Sequence, residues 1–449
     1  MNDPGIASFT DEQRYAMRLF RTGKQSVLLM GVAGAGKSLL IRKYIAEQEN
    51  QFVNVAIVAP TGVAAINIGG TTIHSLFQLS PGALDPDDEE GVTGKWSKIE
   101  ILIIDEISMV RADVFACIDR RLRAGKSNYN AQKPFGGVRI IMVGDVCQLD
   151  PIMPKRGTDE HEFLMDHFGS GWFFDTKEFR ELNPTPIFLT KSFRQEELSL
   201  SNMLDQVRVG DRTAAKDLND ALQSAPDADG SNGPVVCCTN RQVDDINSIQ
   251  LAKLEGEVGT FQGILSGKFK PNDCRTDVVL ELKVGARVLA VANNYEAGFI
   301  NGDAGTVVSL APLVVDFDRH GERYVNTFKW ESIRYTYEHC EESKRKRLQR
   351  MVVGQFIQVP LRLGWAITIH KSQGMGFAQM TVDMGKGAFA SGQTYVALSR
   401  SMTLEGLTLK VPIRSNDIFT DRDALKFHEL MAQRSVANMQ ADADNRRAI

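Results

Sequence analysis

A glycine-rich segment ending in Lys-Ser is the part of the chain best suited to bind a nucleotide. It follows an apolar run at residues 27–30, precedes a helical pattern at 39–47, and reads Gly31-Val32-Ala33-Gly34-Ala35-Gly36-Lys37-Ser38. Between a strand and a helix, the backbone N–H groups of such a loop wrap phosphates, its Lys reaches the β- and γ-phosphates, and its Ser ligates Mg²⁺. The segment therefore predicts a site for ATP and Mg²⁺; a tight turn that binds nothing is the alternative.

Acidic and amide side chains follow two further apolar runs. Asp105 and Glu106 come directly after residues 101–104, which places both carboxylates at the carboxyl end of a strand, where open α/β sheets bind ligands. We expect Asp105 to hold the metal and Glu106 to orient or deprotonate the attacking water. Gln148 follows the run at 138–143 and could hydrogen-bond the γ-phosphate or its water. A helix cap or capped turn is the structural alternative for each.

Two arginines in the later part of the chain are candidate arginine fingers. Arg194 lies in Lys-Ser-Phe-Arg-Gln and Arg400 in Tyr-Val-Ala-Leu-Ser-Arg. They could reach a γ-phosphate bound by the first half only if two domains face each other across a cleft. Arginine fingers stabilise transition-state charge and contribute ~10³ to 10⁵ in rate. A surface salt bridge is the alternative for either arginine alone.

A third group of short polar motifs is suited to nucleic acid. Small hydroxyl side chains and backbone N–H groups bind phosphates without reading bases, and histidines can stack on bases. A buried structural histidine is the alternative for each imidazole. The predicted DNA-binding residues are Pro60, Thr61, Gly62, Thr72, His74, His370, Lys371 and Ser372.

The overall charge of the chain does not indicate a nucleic-acid partner. The formal net charge is −4 and the isoelectric point about 6.1, so any contact with DNA must be local. The densest basic cluster, Lys344-Arg345-Lys346-Arg347 with Arg350, is either a solvated helix face or an edge that contacts phosphates.

Short apolar runs in the sequence predict the strands that must position these groups. Strands without in–out alternation are buried on both faces, and helical patterns lie between many of them, so parallel sheets flanked by helices fit best. The chain is predicted to be an α/β protein. The runs are 27–30, 55–59, 101–104, 138–143, 187–189, 235–238, 287–292 and 380–384.

The pattern lapses twice. Residues 80–98 are polar and predict a small insertion, and from about residue 282 short β-like pieces alternate with turn signals, which predicts an inserted β-barrel. A length of 449 residues suits about three domains. We predict a first domain at 1–184 with its insertion at about 77–98, a second at 185–281 plus 355–434, the barrel at 282–354, and a flexible tail at 435–449.

The remaining composition predicts a monomeric cytoplasmic protein. Six cysteines are scattered without metal-ligand spacing, so we expect reduced thiols and no zinc. The N-terminus is acidic, which disfavours a signal peptide. No apolar stretch approaches the ~20 residues of a membrane helix. One chain carries every predicted catalytic group, so a monomer suffices.

The motifs taken together resemble the superfamily 1 helicases of the Pif family. Residues 114–123 and 134–137 resemble that family's own signature. One departure lies at residues 375–378, Met-Gly-Phe-Ala, where the family usually has Thr second and Asp fourth. The motifs that carry the resemblance are Gln13, GVAGAGKS at 31, APTGVAA at 59, GGTTIHS at 69, IIDEISM at 103, GDVCQLDP at 144, KSFRQ at 191, TIHKSQG at 368 and GQTYVALSR at 392.

The resemblance implies two RecA-like P-loop domains, a wedge loop in the first and a barrel resembling an SH3 fold in the second. It implies that Gln13 reads the adenine and that Gly374 belongs to the ATP site. It also implies 5′-to-3′ movement on single-stranded DNA. The insertion at 80–98, with Trp96, would then be the wedge that separates the strands.

The predicted function is that of an ATP-dependent DNA helicase acting on duplex or forked DNA in replication, repair or recombination, with G-quadruplexes and R-loops as further candidate substrates. A bacterial or viral form is favoured. Three alternatives stay open: a motor of the RecD or Dda type or one that prefers RNA, a nucleic-acid-binding ATP clamp that does not translocate, and a small-molecule kinase.

Overall fold

The computed structural model describes residues 9–49, 53–80, 82–85, 94–193, 198–269, 271, 274–294, 296–339 and 346–447. Its first unit is a sheet of six parallel strands flanked by helices. The strands are β1 (Val27–Gly31), β2 (Val55–Ala59), β3 (Thr71–Thr72), β4 (Ile101–Ile104), β5 (Arg139–Gly144) and β6 (Thr185–Leu189). The helices are α1 (Asp11–Thr22), α2 (Lys37–Glu49), α3 (Gly62–Asn67), α4 (Ile73–Phe77), α5 (Ala112–Arg123), α6 (Asn128–Ala131), α7 (Asp159–Phe168) and α8 (Lys177–Leu182).

The strand order in this sheet is β3-β2-β4-β5-β1-β6. Strands β1 and β4 are buried along their whole length, which explains why their sequences are apolar without alternation. Because the strands run parallel, the loops that follow β4, β5 and β1 meet at one edge of the sheet. The predicted α/β architecture is confirmed in this unit, and the predicted nucleotide groups follow adjacent strands.

The second unit begins with α9 (Leu198–Arg208), α10 (Ala214–Ala221), β7 (Gln223–Ser224), β8 (Val235–Cys237) and α11 (Asn240–Lys253). An antiparallel region then interrupts it. Its strands are β9 (Gly259–Gln262), β10 (Ile264–Gly267), β11 (Val279–Leu282), β12 (Arg287–Ala290), β13 (Ala304–Leu310), β14 (Leu313–Phe317), β15 (Gly321–Tyr324), β16 (Phe328–His339), β17 (Lys346–Gln358) and β18 (Leu361–Leu363). The chain then returns through β19 (Ala366–Thr368), β20 (Met380–Asp383), α12 (Gln393–Leu398), β21 (Leu407–Leu409) and α13 (Arg422–Arg447).

The returning strands complete a second parallel sheet, whose order is β19-β8-β20-β21-β7. The antiparallel region is longer than the predicted insertion at 282–354, because its pairing begins at β9 and continues through β18. The basic cluster near residue 350 is not helical, since residues 346–350 pair with β16 as part of β17; residues 344 and 345 lie outside the described residues.

Two predicted domain limits need correction. Strand β6 pairs with β1 in the first sheet, so residues 185–189 close the first unit and do not open the second. The predicted flexible tail at 435–449 is helical up to Arg447. It is held because the Ser435 hydroxyl accepts a hydrogen bond from the Phe188 N–H at 2.9 Å, and Asp442 pairs with Arg18 at 2.8 Å.

Trp96, predicted to belong to a strand-separating wedge, is instead a core residue. Its side chain is 2% exposed, its indole N–H donates to the Leu76 carbonyl at 2.9 Å, and its ring centre lies 5.7 Å from that of Phe77. Of the predicted insertion at 80–98, residues 81 and 86–93 lie outside the described residues. Within the described part of the chain, no helix is long and apolar enough to cross a membrane.

Candidate active site

The glycine-rich loop lies between β1 and α2, as its sequence predicts. Gly34 and Gly36 adopt φ values of 77° and 85°, a left-handed conformation that other residues adopt only at a cost. Lys37 Nζ donates to the Gly31 carbonyl at 2.7 Å and to the Val32 carbonyl at 3.1 Å. The loop backbone therefore holds the Lys37 ammonium group within the loop, at the position where phosphate oxygens would bind.

Gln13 lies directly behind this loop. Its side-chain oxygen accepts from the Thr10 N–H at 3.1 Å, its Nε2 donates to the Ala35 carbonyl at 3.1 Å, and the residue is 3% exposed. The structure thus makes Gln13 both part of the N-terminal cap of α1 and a support of the loop. A contact with adenine remains a prediction for its second amide hydrogen.

Asp105 and Glu106 stand at the end of β4, at the edge predicted for them. Burial and the charge of Glu106 raise the pKa of Asp105 to about 7. Burial also raises the pKa of Glu106, while the positive charges of Lys37 and Arg400 limit the rise. Glu106 adopts φ 50°, a conformation that is uncommon outside glycine and often marks functional sites. Buried carboxyl groups with raised pKa values are typical of functional sites, including sites of proton transfer.

The loop after β5 positions Gln148 through a neighbouring carboxylate. Asp145 accepts from the Cys147 N–H at 3.2 Å and from Gln148 Nε2 at 3.4 Å. Burial alone would raise the pKa of Asp145, but its ion pair with Arg208 lowers it. The pKa of Lys37 is lowered by burial, and Asp145 opposes this shift. The loop therefore adds a permanent negative charge beside the ammonium group.

The second unit contacts the glycine-rich loop directly. The Tyr395 hydroxyl of the second unit accepts from the Ala33 N–H at 3.0 Å. The segment after β6 contacts the same loop, since the Ser192 hydroxyl donates to the Ala33 carbonyl at 2.8 Å. The Phe193 N–H donates to the Gly34 carbonyl at 3.0 Å. Arg194 itself lies outside the described residues, so its role as a finger remains a prediction, although Ser192 and Phe193 reach the loop.

Arg400 is held close behind Glu106. It is 2% exposed, and its guanidinium donates to the Val396 carbonyl at 2.9 Å and the Ser399 hydroxyl at 2.8 Å. Burial raises the pKa of Glu106, and the charge of Arg400, with that of Lys37, opposes this rise. The segment 375–378 lies beside this arginine, since the Phe377 N–H donates to the Arg400 carbonyl at 2.9 Å.

A cavity of about 600 Å³ connects the nucleotide groups with most of the predicted DNA-binding segments. The first unit contributes Ser38, Asp105 and Glu106 to its lining. The second unit and the turn between β12 and β13 contribute the rest of the lining that does not come from the first unit. The lining residues are Ser38, Arg42, Thr61, Ala64, Ile68, Asp105, Glu106, Met109, Ile152, Asn293, Ile300, Asn301, His370, Lys371, Gln373 and Gly374.

The predicted DNA-binding residues divide into two groups. The hydroxyls of Thr61 and Thr72 accept from the N–H groups of Ala64 and Ser75, both at 3.2 Å, and so cap α3 and α4. Pro60 and Gly62 flank Thr61, and His74 lies in the first turn of α4. His370 and Lys371 line the cavity, where burial lowers the pKa of each.

Ser372 requires a correction. It is completely buried, and its hydroxyl donates to the Ile369 carbonyl at 2.8 Å. Because the side chain is enclosed and already bonded, it shapes the loop after β19 and does not present a hydroxyl to a ligand in this structure.

Sequence reasoning missed three residues at this site. Tyr395 lies inside one of the recognised motifs, so the motif itself was an available signal. Asn301 was noted only as half of a turn; it lines the cavity, and its buried side-chain oxygen has no hydrogen-bond partner among the residues that the structure describes. Arg208 has no sequence signal, since it is one of many charged residues on a helix.

This geometry defines a P-loop nucleotide-binding protein of the RecA-like class, with its site between two parallel-sheet units. The family model described as PIF1-like helicase matches residues 8–216. The chain belongs to the PIF1-like helicase family, as its similarity to whole Pif1 structures also shows.

Three relatives illustrate that similarity. The ATP-dependent DNA helicase PIF1 of Mus musculus is 33% identical over 421 residues, which cover 89% of this chain and 59% of that protein. Bacteroides sp. Pif1 in complex with ADP-AlF4 is 33% identical, with a TM-score of 0.82 over 94% of this chain and 97% of that one. Bacteroides Pif1 helicase in complex with ADP-AlF3 and ssDNA has the same identity and coverage with a TM-score of 0.64. The chain thus spans less than two thirds of the mouse protein.

Proposed function

We propose that this chain is an ATP-dependent DNA helicase that moves 5′ to 3′ on single-stranded DNA and unwinds duplexes in replication, repair or recombination. The observation that carries the proposal is the shared cavity, which Asp105 and Glu106 line together with His370 and Lys371. A strand bound by the second unit would therefore be coupled to the state of the nucleotide.

The residues present fit a divalent cation. Ser38 and Asp105 line the same cavity, and a carboxyl group whose pKa is raised to about 7 would be ionised more readily beside a cation. Mg²⁺ held there would neutralise charge on the β- and γ-phosphate oxygens. Lys37 would bind those oxygens, Glu106 would orient and deprotonate water, and Gln148 would align it.

The second unit would complete the site by approaching the first. Arg400, and Arg194 by its motif, would stabilise charge that develops on the transferred phosphoryl group. Tyr395 already contacts the loop backbone. The cleft would close when ATP binds and open after hydrolysis. Each such cycle would move the DNA contacts of one unit along the strand by about one nucleotide. Opening one base-pair step costs roughly 1.4 kcal/mol on average, which one ATP can supply.

The relatives support this reading. Bacteroides Pif1 has been solved with ADP-AlF4 and with ADP-AlF3 and ssDNA, which are ligands of the two kinds proposed here. At equal identity and coverage, the chain superposes less well on the DNA complex than on the complex with ADP-AlF4. That difference is consistent with units that change their relative positions during the cycle.

Two assays test the function. Unwinding of a duplex with a 5′ overhang, and not with a 3′ overhang or an RNA tracking strand, is expected. Displacement of streptavidin from a biotinylated 3′ end would separate a translocase from an ATP clamp, since a clamp cannot push the block away. Equal unwinding from both overhangs would contradict the polarity, and ATP hydrolysis without displacement would contradict translocation.

The wedge is a further part of the proposal, together with an SH3-like module in the second unit. Deletion of residues 86–93 leaves Trp96 in the core and should abolish unwinding while preserving ATP hydrolysis stimulated by single-stranded DNA. Equal loss of both activities would rule out a strand-separating role for this segment.

A further inference from the structure

Arg208 forms a buried ion pair between the two units. It ends α9 in the second unit and is 4% exposed, and its partner Asp145 in the first unit is 1% exposed. Arg208 Nη2 lies 2.6 Å from Asp145 Oδ1, and Nε lies 3.2 Å from Oδ2. Such a two-point contact between a guanidinium and a carboxylate is strong and fixes the geometry of both groups.

The same carboxylate holds the catalytic loop. Asp145 also accepts from Gln148 Nε2 and from the Cys147 N–H. The two oxygens of one side chain are therefore shared between Gln148, the residue predicted to bond the γ-phosphate or its water, and Arg208, which belongs to the opposite unit. Removing the arginine would leave a buried, uncompensated carboxylate, which would turn towards other donors and carry Gln148 with it.

The C-terminal helix encloses the guanidinium on its other side. Arg208 Nη1 lies 3.2 Å from His428 Nε2, and the Phe188 ring centre lies 5.3 Å from the guanidinium carbon. Burial and the charge of Arg208 lower the pKa of His428 to about 4, so its imidazole is neutral at pH 7 and can accept a hydrogen bond. With every face occupied, this arginine is not placed to act as a finger on a phosphate.

We propose that Arg208 is a positioning residue that holds Asp145, and through it Gln148, in the arrangement needed for ATP hydrolysis. Gln148 is aligned only while the two units are in contact, which ties phosphoryl transfer to closure of the cleft. This inference rests on the proposed ATP-driven function and names how the second unit controls it.

The first test separates positioning from binding. Arg208→Gln removes the charge, Arg208→Lys keeps it without the planar fork, and Arg212→Gln alters an exposed arginine on the following turn. With saturating oligo-dT, Arg208→Gln should lower kcat for ATP about 10- to 100-fold and change KM less than about 3-fold. Arg208→Lys should recover part of kcat, and Arg212→Gln should match the unaltered protein. Unchanged kcat, or a change confined to KM, would overturn the proposal.

The second test asks whether Arg208 acts through Gln148. If it does, Gln148→Ala combined with Arg208→Gln is no slower than Gln148→Ala alone, because residues that act as a unit are not additive. Losses that multiply would overturn the proposal.

Hydrogen–deuterium exchange supplies a readout that needs no turnover. In Arg208→Gln the amides of 145–149 and of 422–431 should exchange faster together, by about tenfold or more, while those of α5 are unchanged. Unaltered exchange in both segments would overturn the pairing. If the unaltered protein did not hydrolyse ATP, the proposed function would fall, whereas the exchange result would still decide whether Arg208 secures this loop.

Discussion

The two faces of the nucleotide cleft are built in different ways. On the first unit, each reactive group stands at the end of its own strand: Lys37 after β1, Asp105 after β4 and Gln148 after β5, three neighbours in one sheet. On the second unit, Tyr395 and Arg400 come from α12 and the residues after it. Tyr395 contacts the first unit's backbone at Ala33, whereas Arg400 is held by Val396 and Ser399 of its own unit.

This difference suggests that the first face supplies the groups that react with ATP, and that the second face determines when they can act. Lys37 and Asp105 keep their arrangement whatever the position of the other unit, because the sheet fixes the strands that they follow. Gln148 also depends on Arg208 of the second unit, which shares its partner Asp145. Groups on the second face contribute only while the cleft is closed. We therefore expect changes on the first face to remove turnover outright, and changes on the second face to reduce it in proportion to the closed population.

The largest effect should come from Lys37→Ala. It removes the ammonium group that binds the phosphates, so ATP hydrolysis should fall by about 10³-fold or more. Steady-state hydrolysis with oligo-dT measures this, with Lys24→Ala at an exposed position as the control. Substantial residual ATP hydrolysis would place the nucleotide site elsewhere. It would also contradict the expectation that changes on the first face remove turnover while changes on the second face only reduce it.

The first face was predictable from sequence because its signals are local. The loop at 31–38 and the carboxylates at 105 and 106 each follow an apolar run, and parallel strands bring such ends together. The parallel sheets and the turn between β12 and β13 were predicted for the same reason.

The rest of the structure was less predictable because it depends on contacts between segments that are far apart in the chain. Pairing of β6 with β1 cannot be read from an apolar run alone, so the domain limit at 185 was misplaced. Burial of Trp96 depends on Leu76 and Phe77, and the tail was misjudged because the partners of α13 lie far away in the chain. Arg208 pairs with a residue 63 positions earlier, and no spacing rule indicates that.

The next largest effect should come from Gly392→Ala on the second face. Gly392 has φ 68°, and a Cβ there would lie 2.1 Å from the Gln148 carbonyl oxygen. The two units would have to separate, and a displacement of about 1 Å can cost about 10²-fold in rate. We expect kcat for ATP to fall about 10- to 100-fold, while binding of a fluorescent ADP analogue is retained.

Gly321→Ala is the matched control, since Gly321 has a similar φ of 70° and nothing lies within 4 Å of its added Cβ. It carries the same backbone strain without the clash. If both variants lose activity equally, strain alone explains the effect and close approach of the units is not required.

A smaller effect is expected from Tyr395→Phe. Loss of the hydroxyl leaves the buried Ala33 N–H without its acceptor, at a cost of about 1–3 kcal/mol. If that contact forms only in the closed cleft, kcat should fall about tenfold and the apparent affinity for ATP should weaken. Tyr324→Phe, at an exposed tyrosine, should leave both unchanged. An unchanged kcat in Tyr395→Phe would mean that this contact does not depend on closure.

The smallest effect concerns α13, which packs the end of the chain against the junction of the two faces. The pKa of His428 is lowered to about 4 by burial and by the charge of Arg208, with Asp145 acting in the opposite direction. The folded protein therefore binds this proton less tightly than the unfolded chain, whose histidine titrates at about 6.5. Stability from this residue is complete above about pH 6.5 and is lost as the pH falls towards 4.

At pH 5 the loss amounts to about 2 kcal/mol, which should lower the melting temperature by a few degrees relative to pH 7. His428→Gln keeps an oxygen acceptor for Arg208 and removes the titration, so its melting temperature should change less over the same interval. His167→Gln, at an exposed histidine, should behave like the unaltered protein. If His428→Gln and the unaltered protein lose the same stability between pH 7 and 5, then protonation at this junction does not loosen the contact, and acid acts on the two units separately.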